Sequence, residues 1–470
     1  MEKTKWQGKH VLMIGAARQG VALTRYLCKH GVSVTLNDMR SAEQLTQEQQ
    51  SLKNYDVHWV FGEHTLTLLD AQDCVCVSGG VPLTNPLVVE AVRRGLMVTN
   101  DSQLFLDAAP CLVIGISGSA GKTTTTTLLG RMVEAARGWD GRDFCVWVGG
   151  NLGNPLIAHV DDMRPEDIAV CELSSFQLEL MTAAPEVAAI LNITPNHLDR
   201  HVTMQAYTAA KTNILVNQHK TDSAVLCRED EGSWRLKKMV KGALLSFGKE
   251  PINERQDGTF LEDDVLKLRR RGRVMDLMTR DVISLRGEHN LMNSLAACAL
   301  AAAVDLPPQA MQLGVKGFTG VAHRLELVRE IDGVQWFNDS IATAPERTLA
   351  AISSFDEPLL LLLGGRDKKL PWEELAQVVQ ARVKHLLVFG EAGEMIAKIV
   401  ESQSNNTAAP EQLLSIQRCK NVKQAVQVAA SLSQPDDVIL FSPGGTSFDE
   451  FTDFEERGER FRAWVNELSI

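Results

Sequence analysis

The stretch Leu112–Thr126 constrains what this chain can fold into more than any other. Val113 to Ile116 is an apolar, largely β-branched run and predicts a buried strand. Gly118-Ser-Ala-Gly121 then turns the chain, and Lys122-Thr123 opens a helix carrying Leu128, Leu129 and Met132. Strand, glycine turn and helix in that order form a phosphate cradle. The turn amides and the helix N-terminus attract phosphate oxygens, Lys122 reaches the β/γ oxygens, and the Thr123 hydroxyl suits Mg²⁺. Gly118, Ser119, Ala120, Gly121 and Thr124 complete the set expected around the nucleotide. The spacing departs from the strict motif, which has glycine where Ile116 stands; Gly115 is one residue early.

At 470 residues the chain has room for several domains. Its net charge of −11 argues against a general nucleic-acid surface, so a phosphate-bearing ligand has to be drawn in by a local basic pocket. The nine cysteines are odd in number, scattered, and form no Cys-x-x-Cys pair, which fits free thiols in a reducing cytosol. The N-terminus lacks an apolar signal core, and runs such as Leu295–Val304 and Leu359–Leu363 are too short for a membrane span. The expectation is a cytoplasmic protein with no membrane and no nucleic-acid partner.

His10–Ile14 reads as a strand, Gly15–Gly20 as a turn, Val21–Lys29 as a helix and Val32–Leu36 as the next strand, which runs on to Asp38. This βαβ unit looks like half of a dinucleotide-binding domain, with Asp38 placed to bond a ribose or sugar-nucleotide hydroxyl. A strand at Cys74–Val77, a helix near Asn85–Arg94, a strand at Leu96–Val98 and a helix to Ala108, capped by Asp101, complete a first domain, 1–108. After the phosphate loop, strands are predicted at Phe144–Val148, Ile168–Cys171, Ala188–Leu191, Ala224–Cys227 and Ala243–Phe247. Three of them end in chemically loaded residues: Asn151, Glu172 to Ser175, and Asn192 to Asp199. Ligands gather at the carboxyl ends of strands in such sheets, so these residues are expected at the same mouth as Lys122. Arg228–Arg280 reads as an antiparallel excursion of unplaced register, and Met292–Val304 as an Ala-rich helix; together they fill a second domain, 109–319. A third, 320–470, opens on a hairpin, Leu325–Val328 with Val334–Phe337. It continues with helices at Pro345–Ser354, Trp372–Ala381, Ala392–Glu401 and Val422–Ala430 and strands at Leu359–Leu363, Leu386–Phe389 and Val438–Phe441, with Glu401–Pro410 as a polar loop. The fold class is α/β: Rossmann-like N- and C-terminal domains around a central P-loop ATPase-like domain, all with mostly parallel sheets.

In this order the motifs resemble those of the muramyl ligase family of peptidoglycan synthesis. They are Gly118–Thr123, Gly149-Gly-Asn-Leu-Gly153, Glu172–Glu179, Asn192–Asp199, Tyr207-Thr-Ala-Ala-Lys211, Gly287–Asn293, His323-Arg324, Asn338-Asp-Ser340 and Ser442–Asp449. The last, continued by Phe454–Gly458, resembles the D-glutamate-adding branch; the Asp-Asn-Pro-Arg motif of the diaminopimelate- or lysine-adding branches is absent.

The resemblance implies ATP-dependent amide formation on UDP-N-acetylmuramoyl-L-alanine. A carboxylate is phosphorylated by the γ-phosphate, and the acyl phosphate is attacked by the amine of D-glutamate. It further implies Lys122, His197 and Lys211 as catalytic residues. Mg²⁺ would be held by Thr123, Glu172, His197 and, if carbamylated, Lys211. Asn290, Arg324 and Asp339 would grip ATP. Arg18, Gln19, Asp38, Arg40, Gly80, Asn151 and Ser174 would bind the UDP-sugar, and Thr343, Lys368, Ser447, Phe448 and Phe454 the D-glutamate. A monomer is expected. Two departures stand out: Ile341 replaces the family's lysine in Asp339-Ser-Ile-Ala-Thr343, and Ala120 replaces its usual Asn in the loop. The competing readings are a related ligase adding another amino acid, such as a folylpolyglutamate-type enzyme, and a nucleotide-binding module without ligase chemistry.

Overall fold

Three mostly parallel sheets carry the chain in the computed structural model, which describes residues 6–141, 143–151, 153–196, 198–285, 287–368, 370–403 and 412–468. One compact unit runs as far as Phe318, apart from 285–287, and holds the first two sheets; the other runs from Thr319 and holds the third.

The first sheet contains β1 (His10–Ile14), β2 (Ser33–Asp38), β3 (Val57–Phe61), β4 (Cys74–Val77) and β5 (Met97–Thr99), in the order β3-β2-β1-β4-β5. All pairs are parallel. β1 and β4 are buried nearly throughout, as their continuous apolar runs require of strands covered on both faces. The chain reverses direction across the sheet between β1 and β4, so their carboxyl ends frame a crevice. The first helix begins at Arg18, three residues earlier than its apolar periodicity indicates, because Arg18, Gln19 and Gly20 form its opening turn. The helix Asp101–Ala108 is capped by Asn100 rather than Asp101: the Asn100 side chain accepts from the Gln103 N–H at 2.9 Å.

The second sheet has nine strands: β6 (Leu112–Ser117), β7 (Val146–Gly150), β8 (Ile168–Glu172), β9 (Val187–Ile190), β10 (Ser223–Cys227), β11 (Ala243–Phe247), β12 (Asp257–Glu262), β13 (Val265–Arg270) and β14 (Arg273–Thr279). Their order is β14-β13-β12-β11-β10-β9-β6-β8-β7. The antiparallel excursion expected in 228–280 is β12–β13–β14, with Thr259 opposite Leu268 and Leu268 opposite Met275. Central β6 lies between β8 and β9. Gly115 inside it serves packing, since a Cβ there would stand 2.5 Å from Pro185 Cγ. This accounts for the displaced motif spacing: Gly115 belongs to the strand and the loop glycines begin at Gly118.

Within this unit the two sheets share one apolar cluster, in which Leu104 and Phe105 meet Leu156, Ile157 and Val160. Polar ties cross the same seam. Asn100 Nδ2 donates to Gln177 O at 2.8 Å, Gln177 Nε2 to Ser102 Oγ at 2.7 Å, and the Thr182 N–H to Gln103 Oε1 at 2.7 Å.

The second unit holds β15 (Glu326–Ile331), β16 (Val334–Asn338), β17 (Leu359–Gly364), β18 (Val383–Phe389), β19 (Ser415–Arg418) and β20 (Val438–Gly444), ordered β15-β16-β20-β17-β18-β19. β15 and β16 are the expected antiparallel hairpin, and the remaining pairs are parallel. β20 inserts between β16 and β17, so the ends of these three strands adjoin. Glu401–Gln403 continue the helix Gly393–Gln403 instead of opening a loop; the rest of that predicted loop, from 404, lies outside the described residues.

Candidate functional site

The phosphate loop follows the carboxyl end of β6 and ends at Gly121, which caps the helix Lys122–Ala135 with a φ of 81°. Glycine is required there twice over: the left-handed conformation disfavours a side chain, and a Cβ would lie 2.3 Å from Asn293 Oδ1. Lys122 Nζ curls back over the loop and donates to Gly118 O at 2.9 Å. Thr123 and Thr124 occupy the helix's first turn, where the amides and positive dipole end face the strand edge.

Not every loop amide faces a ligand. The Ser119 N–H donates to Asn192 O at 3.0 Å and the Ala120 N–H to Asn192 Oδ1 at 2.8 Å, while Asn192 Nδ2 returns a bond to Ala120 O at 3.2 Å. Ser119 Oγ lies 2.9 Å from Tyr207 Oη and accepts from the Thr194 N–H at 3.0 Å. Asn192, Thr194 and Tyr207 therefore brace the loop. Their motifs stood out in the sequence, but their structural part did not.

Glu172 ends β8 beside β6, in register with Ile116 and, on the other side, with Gly150 of β7. It is buried, and its carboxylate accepts from Asn151 Nδ2 at 3.4 Å, while the Asn151 N–H donates to Glu172 O at 2.9 Å. Lys211 projects from the helix Met204–Val216 into the same corner, 1% exposed. Its Nζ donates to Gly118 O at 2.9 Å, the carbonyl that Lys122 also uses, and it lies 4.8 Å from the Tyr207 ring centroid. Burial, reinforced by the Lys122 charge and opposed by Glu172, brings the Lys211 amine down to about 7.

His197 lies outside the described residues. The segment leading to it runs along the loop as far as Asn196, whose Nδ2 donates to Ser119 O at 3.5 Å. Asn290 lies on the helix Glu288–Ala303 and accepts from Asn293 Nδ2 at 3.2 Å, and Asn293 in turn abuts Gly121. Among the described residues no three His, Cys, Asp or Glu side chains gather as a metal cage. The chemistry of the donors nonetheless fits Mg²⁺, which is commonly held by one or two carboxylates plus substrate phosphates and water. Glu172 supplies a carboxylate and Thr123 a hydroxyl at one strand edge. Lys211 as an ammonium would repel the ion, and only a carbamate there would attract it.

In the first sheet the residues expected to bind the UDP-sugar gather at the carboxyl ends of β1, β2 and β4. Gln19 Oε1 accepts from the Gly79 N–H at 3.2 Å, beside Gly80. Arg18 donates to Gly153 O at 3.2 Å. Asp38 takes the Ala16 N–H at 2.8 Å and pairs with Arg40, so its oxygens brace the turn rather than project alone toward a ribose. Burial alone would raise the Asp38 carboxyl, but the Arg40 bonds outweigh it and hold it below its ordinary value. Ser174 caps the short helix Ser175–Leu178 in a reciprocal box with Gln177. Arg200, absent from the expected set, joins the two sheets: it donates to Gly79 O at 2.8 Å and stacks on Phe176, 3.9 Å from the centroid.

In the second unit Asp339 follows β16 and is buried, accepting from Ser442 Oγ at 2.8 Å and from the Leu325 N–H at 3.3 Å. Burial pushes its carboxyl up to about 7, against these bonds and the nearby Arg324 and Arg347. Lys368 Nζ donates to Thr343 Oγ1 at 3.2 Å. Ser447 is buried after β20, Phe448 is 59% exposed, and Phe454 stands edge-on to the His323 ring at 6.4 Å.

Family models match the chain in sequence order. A MurD-like N-terminal domain of Mur ligases covers residues 9–100, the Mur ligase middle domain 116–301, and the Mur ligase glutamate ligase domain 323–445. A UDP-N-acetylmuramoylalanine–D-glutamate ligase of Symbiobacterium thermophilum is 38% identical over 97% of this chain and 98% of its own. One from Geobacter metallireducens is 37% identical over 98% of both. Among solved structures, the UDP-N-acetylmuramate-alanine ligase of Thermotoga maritima has a TM-score of 0.57 at 18% identity, covering 97% of this chain and 99% of its own. MurF of Acinetobacter baumannii also reaches 0.57, at 17% identity, covering 98% and 93%. These two likenesses concern the fold; the full-length identity to the relatives settles the lineage, and the chain belongs to the Mur ligase family.

Proposed function

We propose that this chain is an ATP-dependent ligase joining D-glutamate to UDP-N-acetylmuramoyl-L-alanine through an acyl phosphate, in three domains, 1–108, 109–319 and 320–470. The observation that carries the reading is the convergence of Lys122 and Lys211 on Gly118 O beside the buried Glu172. The Lys122 ammonium attracts a polyanion, and its charge beside the buried Lys211 amine disfavours a second ammonium there. Lys122 and Asn290 would hold the nucleotide. The crevice of the first sheet, with Arg18, Gln19, Arg40 and Gly80, would take the UDP moiety, and Asn151 the sugar side.

Mg²⁺, held by Thr123 and Glu172 with His197, would neutralise charge on the phosphates. Lys211 has the properties of a carbamate-forming lysine: it is sealed from water and crowded by a second cation, which favours the neutral amine. Its Nζ would bond the carbon of CO₂, lose a proton to solvent, and become an anion paired with Lys122 and the metal. The protein's share of the reaction is positioning and charge neutralisation at the transferring phosphoryl group. No helix among the described residues is long and apolar enough to cross a membrane; the reading places a monomer in the cytoplasm, acting on a nucleotide-linked precursor.

The test is phosphate release from ATP with Mg²⁺ and UDP-N-acetylmuramoyl-L-alanine, over a panel of D- and L-amino acids including both glutamates. Stimulation by D-glutamate alone is expected. Stimulation by L-glutamate, lysine or diaminopimelate instead would assign another amino acid, and ATP hydrolysis indifferent to every amino acid would mean no ligase.

A further inference from the structure

The carboxyl ends of β16, β17 and β20 bring together three cations, none of which is hydrogen-bonded to a carboxylate among the described residues. Arg457, on the helix Phe454–Asn466, is 0% exposed and donates to Ser340 Oγ at 3.0 Å, Ser340 O at 2.8 Å and Gly445 O at 3.0 Å. Lys368 donates to Thr343 Oγ1. Arg347, exposed, lies over the turn between them and donates to Ile341 O at 3.4 Å. Among the described residues, these hydrogen bonds of the three cations all go to uncharged oxygens. A buried cation hydrogen-bonded to no carboxylate is costly, and burial brings Arg457 down to about 10 against the charge of Asp449. Burial, Arg347 and Arg457 together lower Lys368.

Arg347 is also misplaced for its own helix. It sits in the first turn of Pro345–Ile352, where the dipole favours anions. The acids facing the group are Glu346 toward Lys368, Asp449 toward Arg457, and Asp339, whose oxygens already bond Ser442 and Leu325. Three cations and a helix N-terminus thus add their fields around the turn 339–343. Two of them, Arg347 and Lys368, are accessible and chemically distinct: a planar fork and a point charge.

We infer that Arg347 binds one carboxylate of the amino-acid substrate while Lys368 binds the other, with buried Arg457 strengthening the field behind them. The inference rests on the proposed ligase function and names a residue for its acceptor site. It also gives Ile341 a physical context: a guanidinium arriving from the next helix lies on the backbone of the position where the family's lysine would stand.

The measurement is the KM for D-glutamate and for ATP in the parent protein, Arg347→Ala, Arg347→Glu and Arg347→Lys. The side chain is exposed, so thermal unfolding should match the parent. The KM for D-glutamate should rise about tenfold or more in Arg347→Ala, further in Arg347→Glu, and recover partly in Arg347→Lys, as loss of a charge-assisted contact predicts. The KM for ATP should stay within about twofold. An active parent with an unchanged D-glutamate KM in Arg347→Ala and Arg347→Glu overturns this inference alone, as does a rise confined to ATP. A parent idle with D-glutamate overturns the ligase reading and this inference with it.

Discussion

Lys122→Ala is expected to cut turnover by about 10³-fold or more while leaving the fold in place. The side chain donates to Gly118 O and Ser119 O of the loop, so far-UV circular dichroism and the unfolding midpoint should match the parent. What is lost is the cation over the loop, whose charge meets the β/γ phosphates while negative charge is redistributed during transfer. Substituting Arg keeps the charge on a longer, planar head and should restore little, because the contact at Gly118 is to a compact ammonium. Turnover near the parental rate in Lys122→Ala would remove the phosphate-cradle role.

Lys211→Ala is expected to lose most activity for a different reason. The amine is 1% exposed and shares its carbonyl with Lys122, so at a simple cation site its removal would relieve repulsion and do little harm. If Nζ carries a carbamate, the variant instead loses an anion beside the metal. A short carboxylate such as acetate or formate, diffusing into the space left by the side chain, should then recover part of the rate, and depletion of CO₂ should slow the parent but not the variant. Full activity in Lys211→Ala, or a loss that neither carboxylate nor CO₂ affects, would count against the modification. The unfolding midpoint separates this from a packing defect, since a void at Lys211 lowers stability whichever species occupies it.

Much of the fold was legible because central parallel strands are continuous apolar runs. His10–Ile14, Cys74–Val77 and Ala243–Phe247 fall where their hydropathy places them. Val57–Phe61 and Ser415–Arg418 escaped notice as edge strands, half-buried and interleaved with polar residues, so neither a buried run nor a clean alternation marks them. The helix Phe454–Asn466 escaped for the opposite reason. Its sequence reads as charged surface, yet Arg457 and Gly458 belong to its buried face. The same blindness applies at the site. The motifs located Lys122, Glu172 and Lys211, but charge in a sequence does not reveal its burial. That Lys211 is sealed in and that Asn192 and Tyr207 brace the phosphate loop depend on partners tens of residues away, and even the Asp38–Arg40 pair, two residues apart, forms only because the turn after β2 brings the side chains together.

On the proposed function, the corner shared by β6 and β8 holds the metal-bound triphosphate. Anomalous diffraction from crystals grown with manganese and a non-hydrolysable ATP analogue locates the ion directly. A manganese peak about 2.1 Å from Thr123 Oγ1 and within reach of the Glu172 carboxylate, with Lys122 Nζ on the β/γ phosphates, is the predicted result. A triphosphate bound with its metal on the far side of the sheet from Glu172, or away from Lys122, would contradict it.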